Sequence, residues 1–207
     1  MTDVSILDYK MGNISSVKRK VEKLGFSCNL ISSSNEVLNA RRIILPGVGH
    51  FKKAMLHIKN NGLDKSLNHV VLEQKVPILG ICLGMQLMCS NSEEGNVEGL
   101  GWFNAKVTRF KINDQLRFRT PHIGWKNVRF NNSNDLNKSI SEDNEFYFIH
   151  EYCVKEAKKE CVLSQTIHET PFISGLYRDN IYGVQFHPEK SHKIGEKLIK
   201  NFLEIKC

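Results

Sequence analysis

The stretch Ile78-Leu79-Gly80-Ile81-Cys82-Leu83-Gly84-Met85-Gln86 decides the fold of this chain. A short apolar run ends at a Gly-x-Cys-x-Gly pattern, and a helical pattern follows it. Glycines on both sides of a reactive residue permit the tight strand-to-helix turn known as a nucleophile elbow. We therefore expect Cys82 to project into solvent at a sheet edge, at a helix N-terminus that favours its thiolate. The same pattern also suits a buried thiol in a turn of a parallel sheet, and it leaves both interpretations open.

The sequence before this stretch alternates between strand and helix patterns. Apolar residues at helical spacing predict a first helix between Ile14 and Leu24, with Gly25 placed to end it. A second helical stretch runs from Phe51 towards Glu73. Predicted strands cover residues 4–7, 28–31, 43–45 and 76–79. This alternation predicts a parallel sheet with helices on both faces.

The second half is richer in strands. The pattern predicts strands at 105–110, 127–130, 146–149 and 162–166, a hairpin of 172–177 with 181–186, and a closing amphipathic helix that contains Ile194 and Ile205. Residues 93–101 are predicted to form an irregular loop. The predicted fold class is α/β, a single domain over residues 1–207 with a mixed, mainly parallel sheet flanked by helices.

Composition excludes several classes of protein. The 207 residues are 41% apolar and 25% charged, which is typical of a globular domain. No apolar run approaches the roughly 20 residues of a membrane span, and Met1 to Val4 shows no secretion signal, so we expect a cytoplasmic protein without membrane contact. Basic residues are scattered among acidic ones despite the net charge of +7, which argues against nucleic-acid binding. The six cysteines show neither zinc-ligand nor disulfide spacing.

A second chemical signal lies at Gly183-Val184-Gln185-Phe186-His187-Pro188-Glu189-Lys190. His187 and Glu189 are two residues apart after a predicted strand, so both can lean the same way. A carboxylate that holds one imidazole nitrogen leaves the other free to accept a thiol proton. The alternatives are a surface His-Pro-Glu turn and a metal site that adds His192, for which no further ligands are evident, so neither a metal nor a cofactor is predicted.

A third signal is the turn at Leu45-Pro46-Gly47-Val48-Gly49, which follows a buried strand. Its successive backbone amides can point at a substrate oxyanion beyond the carboxyl edge of the sheet. The same sequence pattern is also compatible with an ordinary strand-to-helix turn that has no catalytic role.

Together the three signals resemble the class I, triad-type glutamine amidotransferases, and most closely the glutaminase subunits of imidazole glycerol phosphate synthases. The similarity extends along nearly the whole chain, and the Pro-Gly-Val-Gly and Pro-His-x-Gly-Trp elements are its most specific parts. Its motifs are Asp8-Tyr9 with Gly12-Asn13-Ile14, 45–49, 80–86, 92–95 with 99–101, 121–125, 146–150 and 183–191. The resemblance implies a flavodoxin-like first half completed by antiparallel strands.

The resemblance also implies a role for each matching position. Cys82 would form a γ-glutamyl thioester, His187 would act as the base and then the acid, and Glu189 would orient His187. Oxyanion amides would come from Val48, Gly49 and Leu83. The L-glutamine pocket would contain Gly47, Gln86, Glu94, His150, Glu151 and Tyr152. The ammonia passage and a (β/α)8-barrel synthase, the implied heterodimer partner that receives the ammonia, would face Asn13, His122, Trp125 and Lys190.

Three positions depart from the family pattern, namely His50, Lys126 and Glu151. Glu151 replaces the usual serine and is harmless only if that position binds glutamine through its backbone. These departures, together with the Lys190-Ser191-His192-Lys193 ending, keep open a paralogous glutaminase that supplies ammonia for acetamidino sugars of surface polysaccharides. A non-catalytic regulatory subunit with the same fold is the alternative of another class.

Overall fold

The computed structural model describes residues 2–131, 133–141 and 144–206. Its helices are α1 (Ile14–Lys23), α2 (Ser34–Leu38), α3 (Phe51–Asn60), α4 (Leu63–Asn68), α5 (Leu83–Leu87) and α6 (His192–Glu204). Its strands are β1 (Val4–Leu7), β2 (Cys28–Ile31), β3 (Ile43–Gly47), β4 (Ile78–Cys82), β5 (Cys89–Ser92), β6 (Val97–Glu98), β7 (Phe103–Arg109), β8 (His122–Asn127), β9 (Arg129–Phe130), β10 (Glu145–His150), β11 (Tyr152–Val154), β12 (Val162–His168), β13 (Thr170–Arg178) and β14 (Ile181–Val184).

The main sheet places the three sequence signals at one edge. Its path is β2-β1-β3-β4-β14-β13-β11-β7-β5-β6, and the first five strands of that path are parallel. The carboxyl ends of β3, β4 and β14 therefore lie side by side. Strand order reverses between β1 and β3, which is where open α/β sheets form their ligand crevice. Strands β8 and β10 form a separate antiparallel pair.

Two apolar cores cover the two faces of this sheet. Alternate residues of one strand point to opposite faces, so Ile43 packs in the core with α3 and α4 whereas Ile44 packs in the core with α1 and α6. The fold class predicted from the sequence, a mixed α/β sheet flanked by helices, is confirmed.

Several boundaries differ from the prediction. The helical stretch from Phe51 to Glu73 is broken into α3, α4 and a π-helical turn, because Gly62 adopts a left-handed φ of 65° after α3. Helix α5 has only five residues, since β5 begins at Cys89. The predicted loop at 93–101 contains β6, which pairs with β5, and the short helix α2 was not predicted.

Among the residues described, no helix combines the length and the apolar character that crossing a membrane requires.

Candidate active site

Cys82 ends β4 in a strained backbone conformation. Its φ of 54° and ψ of −108° are values that residues with a Cβ rarely adopt. A Cβ on Gly84 would lie 1.8 Å from the carbonyl oxygen of Leu45, so glycine is required for the turn to pack against β3. The nucleophile elbow is thus present. The expectation that Cys82 projects into solvent is wrong, because its exposed fraction is only 5%. The helix predicted after it is present but short, at Leu83–Leu87.

Strand register brings the second signal to Cys82. On one side of β4, Gly47 of β3 pairs with Cys82. On the other side, Val184 of β14 pairs with Ile81, so Gln185 is the next residue along and lies beside Cys82. Because side chains alternate along an extended chain, Gln185 and His187 lean the same way. The sheet therefore carries both side chains to the sulfur.

His187 and Glu189 form a buried pair. The His187 Nδ1 and Glu189 Oε1 atoms are 2.7 Å apart, and both side chains are almost fully enclosed. Burial on its own lowers the pKa of His187, but the charges of Cys82 and Glu189 outweigh it and raise that pKa to about 10. The His187 Nε2 atom is buried and makes no hydrogen bond within the described residues. This nitrogen is thus the one available to exchange a proton with the sulfur or a substrate.

One buried amide, that of Gln185, contacts the sulfur, and a second, that of Gln86, contacts the first. Gln185 Nε2 lies 3.5 Å from Cys82 Sγ, and Gln185 Oε1 accepts from Gln86 Nε2 at 3.0 Å. Gln86 Nε2 also donates to the carbonyl of Tyr152 at 2.9 Å. Both donor hydrogens of Gln86 are therefore used within the protein, which leaves its oxygen for a substrate. Sequence reasoning missed Gln185, although the residue lies inside a motif that was recognised.

The predicted oxyanion turn borders Cys82. Gly47 is its strand neighbour, Val48 is exposed, and Gly49 has a φ of 137°. Leu83, which follows Cys82, begins α5. The structure thus brings all the predicted oxyanion backbones to the edge where the nucleophile lies.

Two residues from the loop after β1 support this turn and were given no role from the sequence. A Cβ on Gly12 would lie 3.0 Å from the Val48 nitrogen, so Gly12 packs against the turn. The Tyr9 hydroxyl occupies the space where a side chain at Gly47 would stand. It is buried without a hydrogen-bond partner in the described structure, and burial, followed by the charge of Cys82, raises the pKa of Tyr9.

Glu94 and Tyr152, which the resemblance assigns to the glutamine pocket, lie close enough for the charge of Glu94 to act on Tyr152. The Glu94 carboxylate accepts from the Phe51 backbone nitrogen at 2.7 Å, so the start of α3 holds it in place. Burial and then the charges of Glu94 and Glu151 raise the pKa of Tyr152. The side chain of Glu151 forms an ion pair with Arg109 at the surface. Side-chain binding of glutamine by Glu151 is therefore not favoured by its placement.

His150 and His122 are buried in a cluster rather than exposed. His150 Nδ1 donates to the Tyr152 carbonyl at 2.8 Å, and His150 Nε2 lies 3.1 Å from His122 Nδ1. Both nitrogens of His150 are thus engaged, which is against a direct contact with substrate. Burial, with the neighbouring histidines, lowers the pKa of His150 to about 3 and that of His122 to about 2. The cluster is therefore neutral.

The placement of His122 on an exposed partner-facing surface is wrong, because its exposed fraction is 1%. Its assignment to the ammonia passage stays a prediction. In β8 the residues alternate between faces, so Ile123 and Trp125 are exposed (57% and 37%) while His122 points inward. The sequence analysis did not single out Ile123, although the alternation of β8 could have identified it as an exposed apolar residue. Trp125 stacks on His192 with ring centroids 4.7 Å apart.

The other two residues predicted to face a partner are accessible. Asn13 is exposed just before α1, and Lys190 Nζ lies 5.5 Å from the Tyr147 ring centroid. Of the alternatives, the metal site finds no support, since the described residues contain no group of three potential ligands. His192 is stacked on Trp125 instead.

Comparison with known proteins gives matches along nearly the whole chain. A family model described as glutamine amidotransferase class-I matches residues 5–205. The chain is 45% identical to imidazole glycerol phosphate synthase subunit HisH 2 of Methanococcus maripaludis over 97% of this chain and 98% of that protein. It is 43% identical to subunit HisH of a Bacteroides fragilis strain, over 98% and 99% of the two chains.

Solved structures share the fold. PurLQS from Thermotoga maritima superposes with a TM-score of 0.76 at 16% identity and covers 98% of both chains. Another protein, solved as a glutamine amidotransferase, superposes with a TM-score of 0.76 at 17% identity, over 97% of both chains. At such identities the likeness supports the fold alone.

Proposed function

This chain belongs to the class I glutamine amidotransferases, and from that membership we propose that it is the glutaminase subunit of an imidazole glycerol phosphate synthase. It hydrolyses L-glutamine to L-glutamate and ammonia, with residues 1–207 as a single catalytic domain. The relatives with this subunit name match the chain from end to end. The observation that carries the proposal is the buried convergence of Cys82, His187 and Glu189 at the elbow.

The first half of the reaction forms a thioester. The Cys82 sulfur attacks the side-chain amide carbon of glutamine, and the carbonyl electrons move to oxygen. Backbone amides of Leu83 and of the Val48-Gly49 segment stabilise this oxyanion. His187, protonated at Nε2, gives its proton to the departing nitrogen, so the carbon–nitrogen bond breaks and ammonia leaves.

The second half releases glutamate. His187 Nε2 takes a proton from water, whose oxygen attacks the thioester carbon, and the carbon–sulfur bond breaks to return the thiolate. Glu189 keeps Nδ1 protonated throughout, because a carboxylate can only accept a hydrogen bond. The pair thus presents the correct nitrogen for both steps.

Groups whose charge and polarity are complementary to those of glutamine hold the substrate. Glu94 offers a carboxylate and Gln86 an amide oxygen to the substrate's ammonium, while the Gly47 backbone lies next to the nucleophile. Tyr152 completes the wall. His150 acts through the Tyr152 carbonyl that it shares with Gln86.

The ammonia passes to a (β/α)8-barrel synthase subunit, the heterodimer partner. Asn13, Trp125 and Lys190 form the face that meets it, and Ile123 adds apolar area to that face. In the complex the synthase makes imidazole glycerol phosphate and aminoimidazole carboxamide ribotide for histidine biosynthesis.

The test is Cys82→Ala in the complex with such a partner. Synthesis from glutamine should be abolished, while synthesis from added ammonium salts should persist because the partner's own site is untouched. Cys161→Ala, at a half-buried cysteine of another region, is the matched control and should keep both activities. Glutamine-dependent turnover in Cys82→Ala would overturn the mechanism. Failure with both nitrogen sources, despite a formed complex, would show that the acceptor is wrong.

A further inference from the structure

We propose that Gln185 is a positioning residue for the nucleophile: its side-chain amide donates to Cys82 Sγ and favours the thiolate. The inference rests on the proposed function only in taking Cys82 as the nucleophile. Nothing in the sequence motifs or in the catalytic scheme above requires this contact.

The fold fixes Gln185 beside the sulfur. Its backbone nitrogen donates to the Ser174 carbonyl at 2.9 Å, and its side chain is fully buried. Because Val184 pairs with Ile81 across parallel strands, Gln185 is held alongside Cys82. A buried amide constrained at both its backbone and its side chain has little freedom to turn away.

Hydrogen-bond polarity determines which end of the amide faces the sulfur. The Tyr152 carbonyl can only accept, so Gln86 must direct its nitrogen towards it. The same nitrogen then donates to Gln185, which must present its oxygen to Gln86. That leaves the nitrogen of Gln185 facing Cys82 Sγ at 3.5 Å. Reversing either amide would bring two donors or two acceptors together.

The sulfur has a different partner in each protonation state. As a thiol it can donate to the Ile149 carbonyl, which lies 3.8 Å away. As a thiolate it can only accept, and the Gln185 amide is a donor aimed at it. Gln185 therefore shifts the balance towards the charged nucleophile, whereas Ile149 shifts it towards the thiol.

Other charged groups near the sulfur are few. His187 faces it from beyond β14, Tyr9 faces it from the loop after β1, and Glu189 acts through His187. Neither of the flanking elements, β3 and α5, contains an ionisable side chain. A change at Gln185 can therefore be interpreted without a compensating charge from those elements.

The test measures alkylation of Cys82 by iodoacetamide in the full chain as a function of pH, with mass spectrometry to locate the product. Gln185→Met keeps the length of the side chain and removes the donor. We expect the pH midpoint of alkylation to rise by about one unit, which gives an approximately tenfold slower reaction at pH values below both midpoints and an unchanged plateau at high pH. Gln165→Met, at an exposed glutamine of β12, should behave as the wild type. An unchanged midpoint in a folded Gln185→Met protein would overturn the proposal.

A measurement on the wild type covers the case in which Gln185→Met does not fold. In protein labelled with ¹⁵N in glutamine side chains, the Gln185 amide protons should shift as Cys82 titrates and should lose that response in Cys82→Ser. No titration-linked shift would refute the contact. Neither experiment uses glutamine or a partner, so a glutaminase that fails in the earlier assay leaves this test intact, and the reverse also holds.

Discussion

The strain at Cys82 predicts an inverted order of stability for two substitutions. Its φ of 54° with ψ of −108° is resisted by any residue with a Cβ and is freely adopted by glycine. Cys82→Ala keeps the Cβ and the strain, whereas Cys82→Gly removes both, and both variants lose the same thiol. Strain of this kind costs about 1–3 kcal/mol. Glycine at an unstrained site instead lowers the free energy of unfolding by about 0.5–1 kcal/mol relative to alanine. The balance is about 0–2.5 kcal/mol in favour of Cys82→Gly, with a midpoint of about 1 kcal/mol.

The assay is urea unfolding followed by circular dichroism, with the slope checked to be equal in both variants. The matched pair is Lys53→Ala and Lys53→Gly at an exposed position inside α3, where glycine should be the less stable variant by about 1 kcal/mol. If Cys82→Ala equals or exceeds Cys82→Gly in stability, the elbow is not strained in solution. The account of Cys82 as a residue held against its backbone preference would then be wrong.

Three further predictions concern the chemistry. A γ-glutamyl electrophile should label Cys82 before any other described cysteine, because burial, as the largest cause, raises the pKa of the other thiols. Those other cysteines are Cys28, Cys89, Cys153 and Cys161, while Cys207 lies outside the described residues. Peptide mapping that finds another cysteine labelled first would contradict the elbow. Glu189→Ala should lower kcat by about 10³ or more, since it removes the carboxylate that orients His187. Glu189→Gln should lower kcat by about 10⁴, because its amide nitrogen can donate to Nδ1 and leave the proton on Nε2, which is the wrong tautomer for a base; a steady-state kcat near that of the wild type in either variant would show that orientation is unimportant. Glutamate release should be slow for the chain alone and rise with the barrel partner and again with that partner's nucleotide ligand, and three equal rates would show that the oxyanion hole is already formed.

The parallel half of the fold was predictable because its signals are local. Buried parallel strands are marked by short apolar runs, and the strands at Val4–Leu7 and Cys28–Ile31 were placed at their observed bounds. The stretch from Phe51 to Glu73 was predicted as one helix because its apolar spacing continues through Gly62, where the left-handed backbone breaks it. The separate β8 and β10 pair depends on contacts between residues far apart in sequence, which local patterns do not encode.

The candidate site was predictable where a side chain's chemistry follows from its motif. Cys82, His187 and Glu189 meet as the motifs indicated, and their catalytic roles stay predictions. Gln185 was missed because a glutamine at the end of a strand has no distinctive chemistry until register places it beside a sulfur. His122 was assigned to the surface because a motif gives no direction, whereas strand alternation turns its side chain inward.

We predict that a partner controls the activity of this chain, because the site is closed in the chain alone. Cys82 is nearly inaccessible, so glutamine reaches it only if a neighbouring segment moves. The turn at Pro46 to Gly49 is suited to move, because Val48 is exposed and Gly49 already adopts a φ of 137° that other residues resist. A missing oxyanion donor lowers the rate by about 10²–10³, so rotation of one peptide there is sufficient to switch the activity. A partner docked on Asn13 and Trp125 binds next to the Gly12 loop, which packs against this turn. Contact there can favour the peptide orientation that donates to the oxyanion only if the partner binds that orientation more tightly than the other.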